Sequence, residues 1–420
     1  MFSKIFKLIH NAEKKRFIVN FFSLATLQGL NYILPLLTLP YLVRVIGAEK
    51  FGLIAFATAI IGYFIVLTDY GFNFTATREV SLNKANQNKL NEIFSSVMII
   101  KICLLIFSFF VLMCLIFFIE KFYTNSLVYI LTFGTVVGQV LFPVWFFQGV
   151  EQMKYITVIN IISKVLFTAS IFIFVKTSED YLFVPLFTSL GFIVAAIYSL
   201  ILIRAKFKIK FLIQKPKVIL EYIKGGSHLF YTSALSNALT SSGIVILSFV
   251  TNNTVVGYYS ALEKLFRAVV GLFTPITQAL YPISCRKVNQ KEYAKPYIRK
   301  VGFFIGGMAF IVGMITAFFS QKIIILVYGL SFQAYSYVLA VMMIWLFFGV
   351  VNNVIGIQYL SASRNDKYYT TSFVVAALVT VLLNLLLIPH LLINGVLISM
   401  IIGEILLTIC MLAFIFRYKI

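Results

Sequence analysis

About twelve apolar runs, most of them near the ~20 residues that cross a hydrocarbon layer, account for most of this 420-residue chain. They lie near 17–37, 50–70, 93–119, 126–146, 156–175, 182–203, 229–250, 255–283, 300–319, 335–360, 370–389 and 392–415. In lipid every backbone polar group must be paired within the segment, so runs of this length are helices. The hydrophobic share is 61% and the charged share 12%, against about a half and a quarter in soluble domains. What remains between the runs is too short for a soluble domain. The chain reads as an all-α polytopic membrane protein of about 12 transmembrane helices.

The net charge of +21 follows from topology. Placing both termini and the even-numbered connections on one face gathers 26 of the 35 Lys and Arg there. The opposite connections hold Arg44, Lys50, Lys121, Lys176 and Lys322. By the positive-inside rule both termini are cytoplasmic, and no nucleic-acid surface is needed to explain the charge. Lys4 to Arg16 imitates the start of a signal peptide. The following run carries Gln28, Asn31 and Pro35 and no A-x-A site, so it is expected to stay as the first span. Four scattered cysteines and three scattered histidines give no metal-ligand spacing.

The longest hydrophilic segment, 204–228, is basic and carries Lys206, Lys208, Lys210, Lys215 and Lys217. It is read as an orientation signal and a contact for anionic membrane lipids. It separates an N-terminal six-helix bundle, 1–203, from a C-terminal one, 229–420. The halves look distantly repeated: Gly47-Ala-Glu-Lys-Phe-Gly52 aligns with Asn252-Asn-Thr-Val-Val-Gly257. Each half has an even number of spans, which makes this a parallel repeat with its axis along the membrane normal.

No P-loop sequence occurs, and the outer connections are too short to hold a polymerase acceptor. Transport, not catalysis, is expected, with no cofactor and no metal. Charges inside spans are costly and mark function unless paired. Lys101 and Lys164 lie roughly 12 Å in from the cytoplasmic end, a depth from which a lysine either snorkels to the interface or faces a wet cavity. Glu263 and Arg267 share a helix face and can neutralise one another, whereas Lys264 points about 100° away and is expected to meet water. Asp69, at the cytoplasmic end of span two, and Glu404, near the middle of span twelve, suit either proton or cation coupling or the partnering of a lysine. Gly134-x-x-x-Gly138 and Gly302-x-x-x-Gly306 read as close-packing motifs. Interior cations outnumber anions, which suits an anionic headgroup; a cationic drug would want acidic walls.

Two stretches carry a resemblance. The first runs from Asn31 through Pro35, Pro40-Tyr41, Arg44, Gly47 and Phe51-Gly52 to Asp69-Tyr70-Gly71-Phe72-Asn73 and Ala76-Thr77-Arg78. The second is Pro143-Val-Trp145-Phe-Phe147-Gln148-Gly149, with Glu151 and Met153-Lys154-Tyr155. Both resemble the bacterial O-antigen flippases, polysaccharide-unit translocases of the multidrug/oligosaccharidyl-lipid/polysaccharide exporter superfamily. The likeness is dense over roughly 20–165 and diffuse beyond.

The resemblance implies an inner-membrane protein of two six-helix bundles forming a V-shaped cleft. It implies alternating access that moves undecaprenyl-diphosphate-linked oligosaccharide from the cytoplasmic to the periplasmic leaflet. Cleft cations would bind the diphosphate; Arg44, Arg78, Lys101, Lys164, Lys264 and Arg267 are the candidates, with Asp69 and Glu404 for ion coupling. Polysaccharide polymerase machinery is an implied partner. The alternatives are a cation-coupled multidrug exporter of the same superfamily and a membrane component of polysaccharide polymerisation.

Overall fold

The computed structural model describes the backbone over residues 2–288 and 291–418, with side chains described except at 2–28, 30–33, 35, 36, 282 and 291–293. The first expected span, with Gln28 and Asn31, and the basic stretch Lys4 to Arg16 therefore fall outside the described side chains. Among the described residues ten helices are long and apolar enough to cross a membrane, and there is no strand. These ten coincide with ten of the twelve expected runs.

The eighth expected run, 255–283, differs. It is two helices, α10 (Asn253–Gly271) and α11 (Thr274–Val288), neither of which qualifies as a long apolar span. Glu263, Lys264 and Arg267 in α10, and Arg286 and Lys287 at the end of α11, keep both too polar to face lipid all round.

The chain divides into two compact units, one formed by 1–38 with 57–234 and the other by 39–56 with 235–420. The first contains the latter part of α1 (Phe2–Asp69), then α2 (Phe72–Leu82), α3 (Gln87–Phe118), α4 (Glu120–Tyr123), α5 (Ser126–Leu141), α6 (Val144–Gly149), α7 (Met153–Phe174) and α8 (Phe183–Phe207). Its core is aromatic: Phe72, Phe94, Trp145, Phe146 and Phe147 are buried together. Thr77 donates to the carbonyl of Trp145 at 3.2 Å and to Gln148 Oε1 at 3.4 Å. The two sequence stretches that carry the family resemblance thus pack against each other. Gly134 and Gly138 of α5 meet Ser189 and Phe192 of α8, where an added Cβ would lie 2.7 and 2.4 Å from theirs. That is close helix packing of the small-residue kind.

The basic segment is only partly a loop. Residues 208–215 are irregular, and α9 (Pro216–Val250) begins within the segment. Its backbone is tied to α3: Lys210 N–H donates to Asn91 Oδ1 at 2.9 Å and Leu212 N–H to Ser95 Oγ at 2.9 Å. Two buried polar side chains of a span thereby find partners.

The second unit continues through α10, α11, α12 (Lys291–Phe318), α13 (Ser320–Tyr328), α14 (Ser336–Asn352), a π-helical stretch over Asn353–Ser361, α15 (Asp366–Leu391) and α16 (Ile393–Tyr418). It also holds residues 39–56. There α1 turns at Gly47, whose φ of 75° and ψ of 167° are readily reached only without a side chain. Beyond the turn, Gly52 lies against α10 so closely that a Cβ would be 1.9 Å from the Asn253 carbonyl oxygen. Reciprocally, a Cβ on Gly257 would be 1.8 Å from that of Ala48. Ala48 aligns with Asn253 and Gly52 with Gly257 in the repeat, so the contact is isologous, each residue meeting the counterpart of its partner.

Candidate functional site

The second unit gathers the densest polar constellation within its spans. On α10, the one-turn spacing of Glu263 and Arg267 lets the guanidinium reach back to a single carboxylate oxygen. Arg267 Nε and Nη2 lie 2.9 and 2.5 Å from Glu263 Oε1. The Glu263 side chain is 5% exposed and that of Arg267 is 46% exposed. The carboxylate is therefore the buried anchor and the guanidinium its open end. Burying a carboxylate is tolerable only with such a partner. Tyr259, one turn earlier, is also buried.

From Arg267 the constellation crosses to α14. The guanidinium carbon lies 6.0 Å from the Trp345 ring centroid, at the outer limit of a cation–π contact. Trp345 stacks on Phe266, centroids 4.4 Å apart. Trp345 is partly buried, and its Nε1 donates to Glu404 Oε1 of α16 at 3.0 Å. Asn352 Nδ2 donates to the other oxygen, Oε2, at 2.6 Å and to the Glu404 carbonyl at 2.9 Å. Asn352 Oδ1 in turn accepts from Thr408 at 2.6 Å. Each carboxylate oxygen of Glu404 thus holds one neutral donor, and no cation among the described residues lies within ion-pair distance. A carboxylate held by neutral donors keeps its freedom to exchange a proton or a small cation, because no fixed counter-ion has to be displaced.

Lys264, the residue between the two members of the ion pair, is exposed, with Nζ 4.8 Å from the Phe51 ring centroid. The structure thus brings Lys264, Arg267 and Glu404 into one unit, and adds Trp345, Asn352 and Thr408, which were not singled out from the sequence.

The first unit holds a second pair. Lys101 of α3 is buried, its side chain 5% exposed, and its ammonium lies 3.4 Å from Asp69 Oδ1, the last residue of α1. A carboxylate at a helix C-terminus is disfavoured by the helix dipole, and a buried ammonium is disfavoured by desolvation. Each offsets the other's cost.

The remaining candidates are separate. Arg44 is exposed, and its guanidinium donates to the carbonyl of Leu326 in the last turn of α13, where a cation meets unpaired carbonyls and a favourable dipole. Arg78 is exposed on α2, and Lys164 is half-buried on α7. Other polar groups inside spans join helices. Asn384 donates to Ser242 at 2.9 Å and Gln358 accepts from Ser284 at 2.7 Å, whereas Asn160 donates within its own helix to the Ile156 carbonyl at 2.8 Å.

Asn352 makes three hydrogen bonds here, two of them to Glu404 and one with Thr408. Asn352→Leu is expected to lower stability by about 2 kcal/mol, the cost of leaving carboxylate and hydroxyl partners unpaired. Thermal unfolding in detergent measures it; an unchanged midpoint would contradict this arrangement.

The sequence matches the family described as "Polysaccharide biosynthesis protein" over residues 17–288. A "Putative O-antigen transporter" of Escherichia coli (strain K12) is 32% identical over 379 residues, 89% of this chain and 90% of that protein. A protein of the same name from Shigella dysenteriae is 27% identical over 296 residues, 70% of this chain and 74% of that one. Among solved structures, the lipid II flippase MurJ in an inward closed conformation superposes with a TM-score of 0.74 at 15% identity, over 96% of this chain and 88% of that chain. An inward-facing multidrug resistance MATE family transporter of the MOP superfamily gives 0.67 at 12% identity, over 92% and 98%. At such identities the likeness is one of fold.

Proposed function

The chain belongs to the polysaccharide biosynthesis protein family, and from that premise we propose that it is a flippase for undecaprenyl-diphosphate-linked polysaccharide repeat units. In this reading it sits in the bacterial inner membrane with both termini cytoplasmic. It carries its cargo from the cytoplasmic to the periplasmic leaflet by alternating access of the halves 1–203 and 229–420, joined through 204–228. Support comes from a relative named as an O-antigen transporter across nine-tenths of its length, and from a fold shared with a lipid II flippase.

The observation that carries the reading is Arg267: a half-open cation within the apolar part of the chain, held by a buried carboxylate. A guanidinium so placed presents free N–H groups to a phosphate. The sugars and diphosphate cannot cross hydrocarbon, whereas the isoprenoid tail need never leave it. A diphosphate with about two charges leaving a negative interior gains ~2.3 kcal/mol per charge per 100 mV. Glu404, lacking a fixed counter-ion, is the residue for proton or cation return. Lys264, whose charge is not taken up by Glu263 because that carboxylate is paired with Arg267, weighs against a hydrophobic cationic drug and so against the multidrug alternative.

The test uses purified protein in liposomes loaded with the lipid-linked oligosaccharide. It measures the fraction of sugar reached by an impermeant glycan-modifying reagent, with and without an imposed potential. Protein-dependent access that rises with the potential is expected. Arg267→Ala should slow it roughly tenfold to a hundredfold, the worth of a charge-assisted hydrogen bond, and Arg267→Lys should keep part of it. Sugar that stays protected under both conditions would refute the reading.

A further inference from the structure

α12 has two faces. Ala294, Val301, Ile305 and Ala309 are buried, and Tyr297 and Ile298 pack on the core around Leu360 and Met411. This fixes the opposite face outward. There Lys295, Pro296, Arg299, Lys300, Phe303 and Phe304 line one open concavity of about 710 Å³. The three cations are exposed. None has a carboxylate within ion-pair distance among the described residues. The Arg299 guanidinium lies 5.7 Å from the Phe303 ring.

Below the cations the same face is apolar and open. Phe303 is 71% exposed, Phe304 63%, Phe310 56%, Ile311 59% and Phe318 82%. Between these rings Gly307 has nothing within 4 Å of an added Cβ and leaves a shallow groove. The Gly302-x-x-x-Gly306 motif, expected to pack closely, turns inward: an added Cβ on Gly302 would lie 3.7 Å from Val354, and Gly306 is buried. From Arg299 to Phe318 the helix rises ~28 Å, a hydrocarbon thickness. Exposed positive charge at one end of a span, with an apolar face below it, is complementary to a whole lipid molecule.

The geometry points to this face as a binding site for a glycerophospholipid bearing two phosphates, of the cardiolipin type. Its headgroup lies on Lys295, Arg299 and Lys300 and an acyl chain runs past Gly307 between the exposed rings. Three cations within two turns exceed what one phosphate charge balances, and a headgroup with two comes nearer to balancing them. The arginine fork takes one phosphate bidentately while the lysines act as point charges. A face open along its full length to the bilayer is served by a bulk lipid. The inference stands independently of the cargo.

Native mass spectrometry of the full chain, extracted from phosphatidylcholine vesicles doped with cardiolipin or with phosphatidylglycerol, tests it. Selective retention of cardiolipin is expected. The combined Lys295→Gln, Arg299→Gln and Lys300→Gln variant should bind roughly a hundredfold more weakly, at the usual contribution of a basic residue near an anionic surface. Lys322→Gln, on an exposed lysine of an opposite connection, should leave retention unchanged. If the triple variant does not fold, Lys295→Gln and Lys300→Gln singly should each weaken binding about fivefold. Undiminished binding by the variants, equal retention of phosphatidylglycerol, or displacement of cardiolipin by geranylgeranyl diphosphate would each overturn the assignment, the last giving the face to an isoprenoid lipid.

Discussion

Gly257→Ala is expected to abolish recovery of folded protein. The new methyl would sit 1.8 Å from the Ala48 carbonyl oxygen and 2.7 Å from its carbon, less than half an ordinary van der Waals separation for the first. Overpacking a core with flexible side chains costs about 1–3 kcal/mol. Here both obstacles are backbone, so relief requires the two helices to part, and the loss is expected to exceed about 3 kcal/mol. Gly52→Ala, 1.9 Å from the Asn253 carbonyl oxygen, should fail in the same way because the contact is reciprocal. Gly225→Ala in α9, with nothing within 4 Å, is the control and should be neutral or stabilised by up to about 1 kcal/mol of helix propensity. The monodisperse fraction on size exclusion and the unfolding midpoint separate these cases. A Gly257→Ala protein that melts with the parent would show that these helices do not meet as described.

Asp69→Ala is expected to be nearly as damaging. It strands the Lys101 ammonium, whose side chain is 5% exposed, and breaking a buried pair from one side costs about 3–5 kcal/mol. Replacing both, Asp69→Ala with Lys101→Leu, should recover most of the stability, because the uncompensated charge is gone. The double variant also separates structure from transport. Stable protein that still exposes lipid-linked sugar in the liposome assay makes the pair a structural clamp. Stable protein with no flux gives one of the two a part in the cycle. Failure of the double variant to regain stability would refute the pairing itself.

The spans were legible because a bilayer demands long apolar runs, and ten of them appear as read. Run 255–283 was not, because its length alone hides the break at residues 272–273 and the charges that keep α10 off the lipid. Family membership was legible from a few dense motifs, and the packing of Thr77 on Trp145 and Gln148 explains why they occur together. The site was legible only in its charges. Glu263 with Arg267 follows from one-turn spacing, whereas Lys101 with Asp69 depends on how α3 meets α1. Trp345 was not legible: an indole in an apolar run does not by itself announce an acceptor, since the buried Nε1 of Trp145 has no hydrogen-bond partner. The two GxxxG motifs share a spacing but differ in closeness: an added Cβ on Gly134 or Gly138 would clash with α8, whereas one on Gly302 would meet Val354 only at ordinary contact distance, because spacing does not say how near the facing helix comes.

Residues 39–56 belong with helices made far later in the sequence. The Arg44 contact to Leu326 spans 282 residues. At a synthesis rate of ~5–20 residues per second, that stretch of α1 waits roughly a quarter of a minute to a minute before its last partner emerges from the ribosome. Until then the groove around Gly52 lies open to any small-residue helix in the membrane. Biogenesis of this chain is therefore a problem of keeping an early helix unclaimed, and slow translation or a truncated carboxyl half should expose the nascent protein to membrane quality control before transport is ever at issue.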